Sequence, residues 1–168
     1  SITGSTIHKA EVKQVGKKIK LVYTPVHGSG YIPVTTILKK IGINPILVPE
    51  QLNKDPMFST VEIPNPEYRE TLSLGIKMAD FKQADVVFGT DPDCDRLGVC
   101  IRDFNGEFVN LSGNQSGVLL LDYVLRRLKE TGKLNKKGFV VQSFATTSLG
   151  RFVADYYGVD MIEVPVGF

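Results

Sequence analysis

A single stretch decides how the chain is organised: Asp85-Val86-Val87-Phe88-Gly89-Thr90-Asp91-Pro92-Asp93-Cys94-Asp95-Arg96-Leu97-Gly98-Val99. Its short apolar run, Val86 to Phe88, is typical of a buried strand, and Gly89 then permits a turn that a larger residue would resist. A second β-like run begins at Leu97. Between the two runs the chain places aspartates at alternate positions and then an arginine: Asp91, Asp93, Asp95 and Arg96. The stretch is therefore predicted to be a strand-end loop that gathers three carboxylates.

The three carboxylates of this acidic loop predict a cation site. Like charges this close repel strongly at a low effective dielectric, and a hard cation with oxygen ligands relieves that repulsion. Mg²⁺ suits the ligand set, because it binds carboxylates at roughly 2.0–2.1 Å and often keeps phosphate oxygens or waters as its other ligands. Arg96 can hold a phosphate oxygen with its planar guanidinium. A metal and a guanidinium facing one phosphoryl group supply what phosphoryl transfer needs, namely positioning and charge neutralisation.

The acidic loop also has other interpretations. Asp and Pro are common turn formers, so a solvated acidic turn is the structural alternative. An EF-hand needs Gly at the sixth loop position and Glu at the twelfth, where this chain has Arg96 and Arg102, so that site is excluded. A nucleophilic Asp of the haloacid-dehalogenase type is disfavoured, because Gly89-Thr90 separates the strand from the first aspartate. The metal site and the solvated turn remain.

The rest of the chain alternates strands and helices. Ile19 to Tyr23 is predicted to be a strand, and Pro33 opens a helix whose apolar residues recur at helical spacing. Ile46 to Val48 is the next predicted strand. A further helix, capped by Asn65 with Pro66 at its first position, leads to the strand of the acidic loop. Repeated strand–helix–strand units predict an α/β fold, a three-layer domain built on a mixed sheet.

The second part of the chain repeats this plan. Asn105-Gly106 between two β-like runs indicates a hairpin, and the domain boundary is placed near Asp103. Residues 1–103 are predicted to form one domain, and residues 104–168 a second, incomplete domain of similar plan. The helices of the second domain have predicted buried faces formed by Leu121, Val124, Leu125 and Leu128, and by Leu149, Phe152, Val153 and Tyr156.

The loop between Thr24 and Gly30 supplies a second candidate site residue, His27. This loop and the acidic loop both follow predicted strands, so both are expected at the one edge of the sheet where ligands of such folds gather. His27 can bind a substrate phosphate there, or it can bond a neighbouring carbonyl group. The Gly-Ser-Gly sequence beside it lacks the lysine of a P-loop and is a weak phosphate-binding signal alone.

Composition argues against several classes of function. The chain has 168 residues, 42% hydrophobic and 23% charged, and its net charge of +2 gives no reason to expect nucleic-acid binding. No stretch approaches the roughly 20 apolar residues of a membrane span and no signal peptide is visible, so no membrane partner is expected. Cys94 and Cys100 fit reduced thiols better than a disulfide framework, which favours a cytoplasmic location. The polar, basic residues 1–18 are interpreted as a solvated face.

Several segments carry a resemblance to one enzyme family. Residues 90–99 resemble the metal-binding loop of the α-D-phosphohexomutases, the phosphoglucomutase and phosphomannomutase family, with Cys94 where the usual form has Ala. Residues 23–30, Tyr-Thr-Pro-Val-His-Gly-Ser-Gly, resemble the T-P-L-H-G loop early in the family's second domain. Asn65-Pro66-Glu67 before the metal loop is also typical of the family, and Gly113-Asn114-Gln115 with residues 119–123 resembles the start of the third domain in the phosphoglucomutase branch.

The resemblance implies an activity, a metal and partners. Family members place four domains around one cleft, and a phosphoserine on the first domain exchanges its phosphoryl group with a sugar phosphate through a bisphosphorylated sugar. In this chain the resemblance implies that Asp91, Asp93 and Asp95 bind Mg²⁺, that Arg96 is a catalytic residue facing the phosphoryl group, and that His27 contributes to substrate binding. The implied partners are hexose phosphates, a glucose 1,6-bisphosphate-type activator and the remaining domains of the same enzyme.

No segment of the sequence resembles the family's phosphoserine loop, its sugar-reading loop or its fourth, phosphate-gripping domain. The chain is therefore interpreted as the second domain and the first part of the third domain of a phosphohexomutase, an enzyme that interconverts hexose 1-phosphate and hexose 6-phosphate. By itself it is predicted to be inactive. Two alternatives from other classes are a stand-alone metal- or phosphate-binding module without catalysis, and a glycosyltransferase that uses D-x-D to hold a metal–nucleotide-sugar complex. The second would need a nucleotide pocket, for which the sequence gives no sign.

Overall fold

The chain forms two units, which divide after Ser112. A computed structural model describes residues 9–135 and 137–167. The first unit contains, in chain order, α1 (Lys9–Val15), β1 (Leu21–Thr24), α2 (Tyr31–Lys40), β2 (Ile46–Leu47), a 3₁₀ turn (Pro49–Gln51), α3 (Ser73–Lys82), β3 (Val86–Thr90), β4 (Leu97–Arg102) and β5 (Phe108–Leu111). The second unit contains α4 (Gly113–Glu130), β6 (Phe139–Ser143), α5 (Leu149–Tyr157) and β7 (Asp160–Val164).

The sheet of the first unit has five strands in the order β2-β1-β3-β4-β5. Strand β1 pairs in parallel with β2 and with β3, whereas β4 and β5 continue the sheet as antiparallel strands. Helix α2 connects β1 to β2, and α3 leads from β2 to β3. The expected α/β class with a mixed sheet is therefore confirmed. It also follows that the loops after β1 and after β3 leave the same edge of the sheet, because these two neighbouring strands are parallel.

The central strand β1 shows how the layers form. Its residues alternate between the two faces of the sheet, as the pleat of a strand requires. Leu21 and Tyr23 pack with Leu38 of α2 in one buried cluster. Val22 packs with Ile76 of α3 in another. Because α2 and α3 cover opposite faces, all of β1 is buried and the first unit has three layers.

Strand β2 is the short edge of this sheet. It contributes only Ile46 and Leu47, which pair with Val22 and Tyr23. Pro45 precedes the strand, and Pro49 starts the 3₁₀ turn that follows it. Since proline has no backbone N–H, the ladder cannot extend through either position.

The second unit is built on one parallel pair of strands, β6 and β7. Its apolar cluster centres on Leu125, Tyr157 and Val159. The buried faces predicted for its helices are only partly correct, because helical periodicity shows which residues share a face but not whether that face is covered. Four of the predicted core residues are exposed to water, namely Val124 (40%), Leu149 (52%), Phe152 (69%) and Tyr156 (76%).

Two boundaries differ from the sequence predictions. The predicted hairpin exists, but β5 pairs with β4, so the first unit extends to Ser112 rather than ending near Asp103. The helix predicted from Pro66 begins instead at Ser73. Asn65 accepts the backbone N–H of Glu67 at 3.0 Å through its side chain, and tight turns occupy residues 66–72. The capping signal is thus satisfied by a turn, without a helix following directly.

The basic region at the start of the chain is partly described. Residues 9–15 form α1, and Lys17 and Lys18 after it are exposed, in agreement with the predicted solvated face. Residues 1–8 of that prediction lie outside the described part of the chain. Among the helices that the structure describes, none combines the length and the apolar character that crossing a membrane requires.

Candidate metal centre

Asp91, the first residue after β3, is the buried anchor of the acidic loop. Its side chain has no exposed surface. One carboxylate oxygen accepts the backbone N–H of Asp95 at 3.1 Å and that of Arg96 at 3.0 Å. The other oxygen accepts the Nε–H of Arg96 at 2.6 Å. Cys94, with a left-handed φ of 65°, donates its backbone N–H to the Asp91 carbonyl at 3.0 Å and completes a tight turn. The loop is therefore folded around the Asp91 carboxylate.

The carboxylates of Asp91, Asp93 and Asp95 converge. Each offers one oxygen, and these oxygens all lie within 4.8 Å of one another. Asp93 and Asp95 are exposed, so the cluster has a buried base and an open outer side. Alternate residues of the loop point to one place because the turn at Cys94 reverses the chain between them. Three carboxylate oxygens are the donor set that a hard cation such as Mg²⁺ prefers, so the residues present fit that ion.

The electrostatics of the cluster split the aspartates into two kinds. Burial opposes ionisation of Asp91, but hydrogen bonds from Arg96 and Asp95 outweigh it, and the pKa of Asp91 lies below its ordinary value. The pKa of Asp95 is raised, first by its hydrogen bond with Asp91 and then by the charge of Asp93. The loop therefore holds its negative charge firmly at the buried base and less readily at the open side, where a cation would relieve the repulsion.

Arg96 forms an ion pair within the acidic loop but uses only part of its guanidinium for it. Its Nε atom bonds Asp91 and lies 3.6 Å from an Asp95 oxygen, while the side chain is 52% exposed. Its Nη atoms make no hydrogen bond or ion pair with any residue that the structure describes. With Nε bound to Asp91, the Nη donors remain available to an external oxyanion.

The loop after β1 packs directly against the acidic loop. The backbone N–H and the hydroxyl of Ser29 both donate to the carbonyl of Pro92, at 2.8 and 3.1 Å. Gly28 lies so close to Pro92 that an added Cβ would overlap the Pro92 Cα. Within the sheet, the buried hydroxyls of Tyr23 in β1 and Thr90 in β3 bond each other at 2.9 Å. These contacts bring the two predicted site loops together at one edge of the sheet.

His27 lies in that loop but does not face the acidic cluster as a free ligand. The side chain is buried, with 6% exposed. Its Nδ1 atom bonds the carbonyl of Asn53 at 2.8 Å, and its Nε2 atom bonds the hydroxyl of Thr60 at 2.7 Å. Both ring nitrogens thus have partners within the chain. These hydrogen bonds favour the alternative in which His27 bonds a neighbouring carbonyl, and they offer no support for the predicted substrate-binding role.

Sequence reasoning missed the residues that hold the site from behind. Gln51 and Thr60 lie in a segment that shows no periodicity, yet Gln51 is fully buried and both bond residues of the site. Ser29 stands out in the sequence only as part of a glycine-rich run. No local pattern identifies such partners, because they are defined by contacts across 9 to 63 positions of the chain.

Comparison with known proteins relates this chain to one family. Residues 4–106 match the family model for phosphoglucomutase/phosphomannomutase, alpha/beta/alpha domain II. The chain is 36% identical over 151 residues to a phosphoglucomutase of Staphylococcus aureus, and 37% identical over 151 residues to one of Staphylococcus haemolyticus. Each match covers 89% of this chain but 27% of the relative, so the chain spans about a quarter of the length of these proteins.

Solved structures of low identity share the fold. A phosphoglucomutase/phosphomannomutase family protein from Burkholderia thailandensis matches 99% of this chain, and 34% of its own, with a TM-score of 0.72 and 19% identity. An Aspergillus fumigatus N-acetylphosphoglucosamine mutase, solved with GlcNAc-6P and magnesium, matches 98% of this chain and 33% of its own with a TM-score of 0.60 and 18% identity. Since the family model spans more than half of the residues, this chain belongs to the phosphoglucomutase/phosphomannomutase family and carries its second α/β/α domain.

Proposed function

We propose that this chain supplies the metal- and phosphoryl-binding loop of a phosphohexomutase, an enzyme that interconverts hexose 1-phosphate and hexose 6-phosphate through a phosphoserine and a bisphosphorylated sugar. The observation that carries the proposal is the convergence of the Asp91, Asp93 and Asp95 oxygens beside the Arg96 guanidinium. Membership of the family makes that arrangement meaningful, because an isolated acidic cluster is common on protein surfaces.

The chain's own residues divide the work of binding a phosphoryl group. Asp91, Asp93 and Asp95 would hold the metal, and Mg²⁺ when bound neutralises charge on phosphoryl oxygens. Asp91 also fixes Arg96 through the Nε contact, which orients the guanidinium before any ligand arrives. The free Nη donors of Arg96 would then bind oxygens of the phosphoryl group with the geometry of a fork. Such preorganised charge is the main contribution that a protein makes to phosphoryl transfer.

The partners follow from the same proposal. Hexose phosphates would be the substrates, with a glucose 1,6-bisphosphate-type activator. One structural relative, a variant of the A. fumigatus enzyme, was solved with glucose 1,6-bisphosphate. The other domains of the enzyme would provide the phosphoserine and the sugar contacts, and the residues from Gly113 onward would form the first part of the third domain. A cytoplasmic location, expected from the cysteine content, belongs to this proposal as well.

Metal titration of the chain tests the site. We expect calorimetry to show Mg²⁺ binding, and we expect Asp93→Asn to weaken it by about tenfold or more, since loss of even an outer-shell partner typically costs that much. Asp155→Asn is the matched control, because it removes the same charge from an exposed position of α5. Unchanged binding in a variant with asparagine at all three loop positions would show that the site is misassigned.

Turnover of the chain alone tests its place in the larger enzyme. We expect no conversion of glucose 1-phosphate to glucose 6-phosphate in a coupled assay containing Mg²⁺ and glucose 1,6-bisphosphate. The reason is that charge stabilisation without a phosphoryl acceptor or a substrate grip cannot align the reacting atoms. Activity that scales with the purified chain and is lost in Asp93→Asn would instead reveal a nucleophile within these 168 residues.

A further inference from the structure

A continuous chain of hydrogen bonds runs behind the loop that follows β1. The Thr24 hydroxyl donates to the Gln51 side-chain oxygen at 2.6 Å, and the Gln51 amide donates to the Thr60 hydroxyl at 3.1 Å. Thr60 in turn bonds Nε2 of His27 at 2.7 Å, and Nδ1 of His27 bonds the Asn53 carbonyl at 2.8 Å. These hydrogen bonds connect the end of β1 to the segment 49–60, and that segment to the loop after β1.

The donors in this chain have a defined direction. A carbonyl can only accept, so Nδ1 of His27 carries a proton toward Asn53. In the neutral ring, Nε2 is then the acceptor, and the Thr60 hydroxyl donates its hydrogen bond to it. That hydroxyl can accept the Gln51 amide at the same time, because it has one donor and two acceptor positions. Each member of this hydrogen-bond chain is thereby satisfied, and Thr60 connects the side chains of Gln51 and His27.

The loop held by these hydrogen bonds has an unfavourable backbone conformation. Val26 and His27 are consecutive residues with φ of 44° and 61°. The left-handed region is disfavoured for residues with a Cβ, and most of all for β-branched ones such as valine. A conformation of this kind persists only where the surroundings impose it. Here they do so through the Thr60–His27 bond and through the backbone N–H of His27, which donates to the Gln51 carbonyl at 2.9 Å.

The strained loop is also the surface on which the acidic loop rests. Ser29 bonds the Pro92 carbonyl twice, and Gly28 lies against the Pro92 backbone. Pro92 separates Asp91 from Asp93. A shift of the loop at residues 26–29 would therefore move Pro92 and change the distance between the Asp91 and Asp93 carboxylates.

We propose that Thr60, Gln51 and His27 are positioning residues for the metal centre. They impose the left-handed conformation at residues 26 and 27, the loop holds Pro92, and Pro92 sets how the carboxylates converge. This rests on the proposed metal-binding function, but its first step, from Thr60 to the Ser29–Pro92 contact, is a property of the metal-free chain. It assigns to His27 an indirect role that replaces direct contact with a substrate.

The test uses the full chain and two measurements. Mn²⁺ binding is followed by water proton relaxation, and hydrogen exchange of the Ser29 amide is followed without metal. We expect Thr60→Val to weaken Mn²⁺ binding by about tenfold, the size typical of an outer-shell change, and to speed Ser29 exchange while leaving Val22 and Val87 protected. Thr60→Ser, which keeps the hydroxyl, should show the wild-type Mn²⁺ affinity and the wild-type rate of Ser29 exchange.

The matched control is Thr71→Val. Thr71 is a buried threonine whose hydroxyl, like that of Thr60, bonds within the first unit: it donates to the Ile63 carbonyl at 2.7 Å, a contact outside the hydrogen bonds described above. We expect this variant to lower the melting temperature without affecting Mn²⁺ binding or Ser29 exchange. Should Thr60→Val fail to fold, His27→Asn takes its place, because asparagine tolerates the left-handed conformation and lacks the reach of the imidazole.

The outcomes separate this proposal from the proposed function. Wild-type chain that binds no Mn²⁺ would refute the metal centre, and Ser29 exchange in Thr60→Val would still decide whether the loop is held from Thr60. Wild-type binding that Thr60→Val leaves unchanged would overturn the positioning role. Equal loss of Mn²⁺ binding in Thr60→Val and Thr71→Val would also overturn it, since general destabilisation would then suffice.

Discussion

The five-stranded sheet of the first unit and the two-stranded sheet of the second contain similar apolar residues but bury them to different degrees. Every residue of β1 is buried, because α2 covers one face of its sheet and α3 the other. In the second unit, Val141 of β6 pairs with Ile162 of β7, yet these side chains are 53% and 44% exposed. A strand–helix–strand plan therefore does not by itself make a core; a parallel sheet needs cover on both faces.

The same contrast separates the helices. Ile76 and Ala79 of α3 are buried in the larger cluster of the first unit. Among the described residues of α4, only Leu125 is buried, and Leu119 and Leu120 are 59% and 62% exposed. Leu119 and Leu120 are thus available to water, whereas the burial of Ile76 and Ala79 contributes to the stability of the first unit.

The largest expected difference between the units comes from truncating one leucine in each. Leu72 is fully buried and packs in the main cluster, so Leu72→Ala should lower the free energy of unfolding of the first unit by about 2–5 kcal/mol. Leu120→Ala removes the same atoms from an exposed helix position and should change stability by less than about 0.5 kcal/mol. Urea denaturation, monitored by hydrogen exchange in each unit, measures both changes in the free energy of unfolding. A comparable loss in Leu120→Ala would show that the second unit depends on Leu120 as much as the first depends on Leu72.

A smaller effect is expected at two helix ends with the same backbone conformation. Helix α3 is followed by the capping residue Gln83 with φ of 51°, and α5 is followed by the capping residue Gly158 with φ of 68°. Gly158→Ala should lower the free energy of unfolding by about 1 kcal/mol, the penalty of a Cβ in the left-handed region. No steric clash adds to this penalty, because no atom lies within 4 Å of the added Cβ.

Gln83→Gly should act in the opposite direction and raise the stability of the first unit. The gain should stay below about 1 kcal/mol, since the glutamine side chain donates to the Asp80 carbonyl at 2.8 Å and that bond would be lost. Thermal unfolding of the two variants measures both effects. Effects of the same sign in the two variants would show that helix ends differ between the units as much as the sheets do.

The smallest expected effect is an acid dependence confined to the first unit. Asp55 accepts hydrogen bonds from Ser59 and from the backbone N–H of Met57, which lower the pKa of Asp55 to about 2. Because the folded pKa lies below the ordinary value of 3.8, this stabilisation is present above about pH 4 and is lost as the pH falls toward 2. Asp55→Asn should flatten the stability of the first unit over that interval in acid titrations, and the exposed Asp155→Asn should not.

The order of the elements and the acidic loop could be predicted because their signals are local. Strand β3, Gly89 and the alternating aspartates are read from neighbouring residues, and parallel pairing then brings the loop after β1 to the same edge. The convergence of Asp91, Asp93 and Asp95 on one point also follows from a spacing of two residues with a turn between them. These features depend little on what the rest of the chain does.

The parts that could not be predicted depend on distant partners. Phe152 and Tyr156 share a helix face, but only the packing of the unit decides that this face is exposed. Asn65 carries a capping signal that a turn satisfies as well as a helix does. For His27, the choice between a ligand role and a structural role depends on Asn53 and Thr60, which are 26 and 33 positions away. The periodicity of a sequence carries no information about such distant contacts.

The brevity of β2 affects how copies of this chain behave toward one another. An edge strand offers unpaired N–H and C=O groups to any other strand, which is the usual route to fibrils and edge-to-edge association. Because β2 consists of Ile46 and Leu47 alone, with Pro45 before it and Pro49 two residues after it, the strand presents too short a ladder to recruit a partner strand. At this edge of the sheet, the shortness of β2 protects the first unit against self-association at high concentration, and it takes no part in binding the metal.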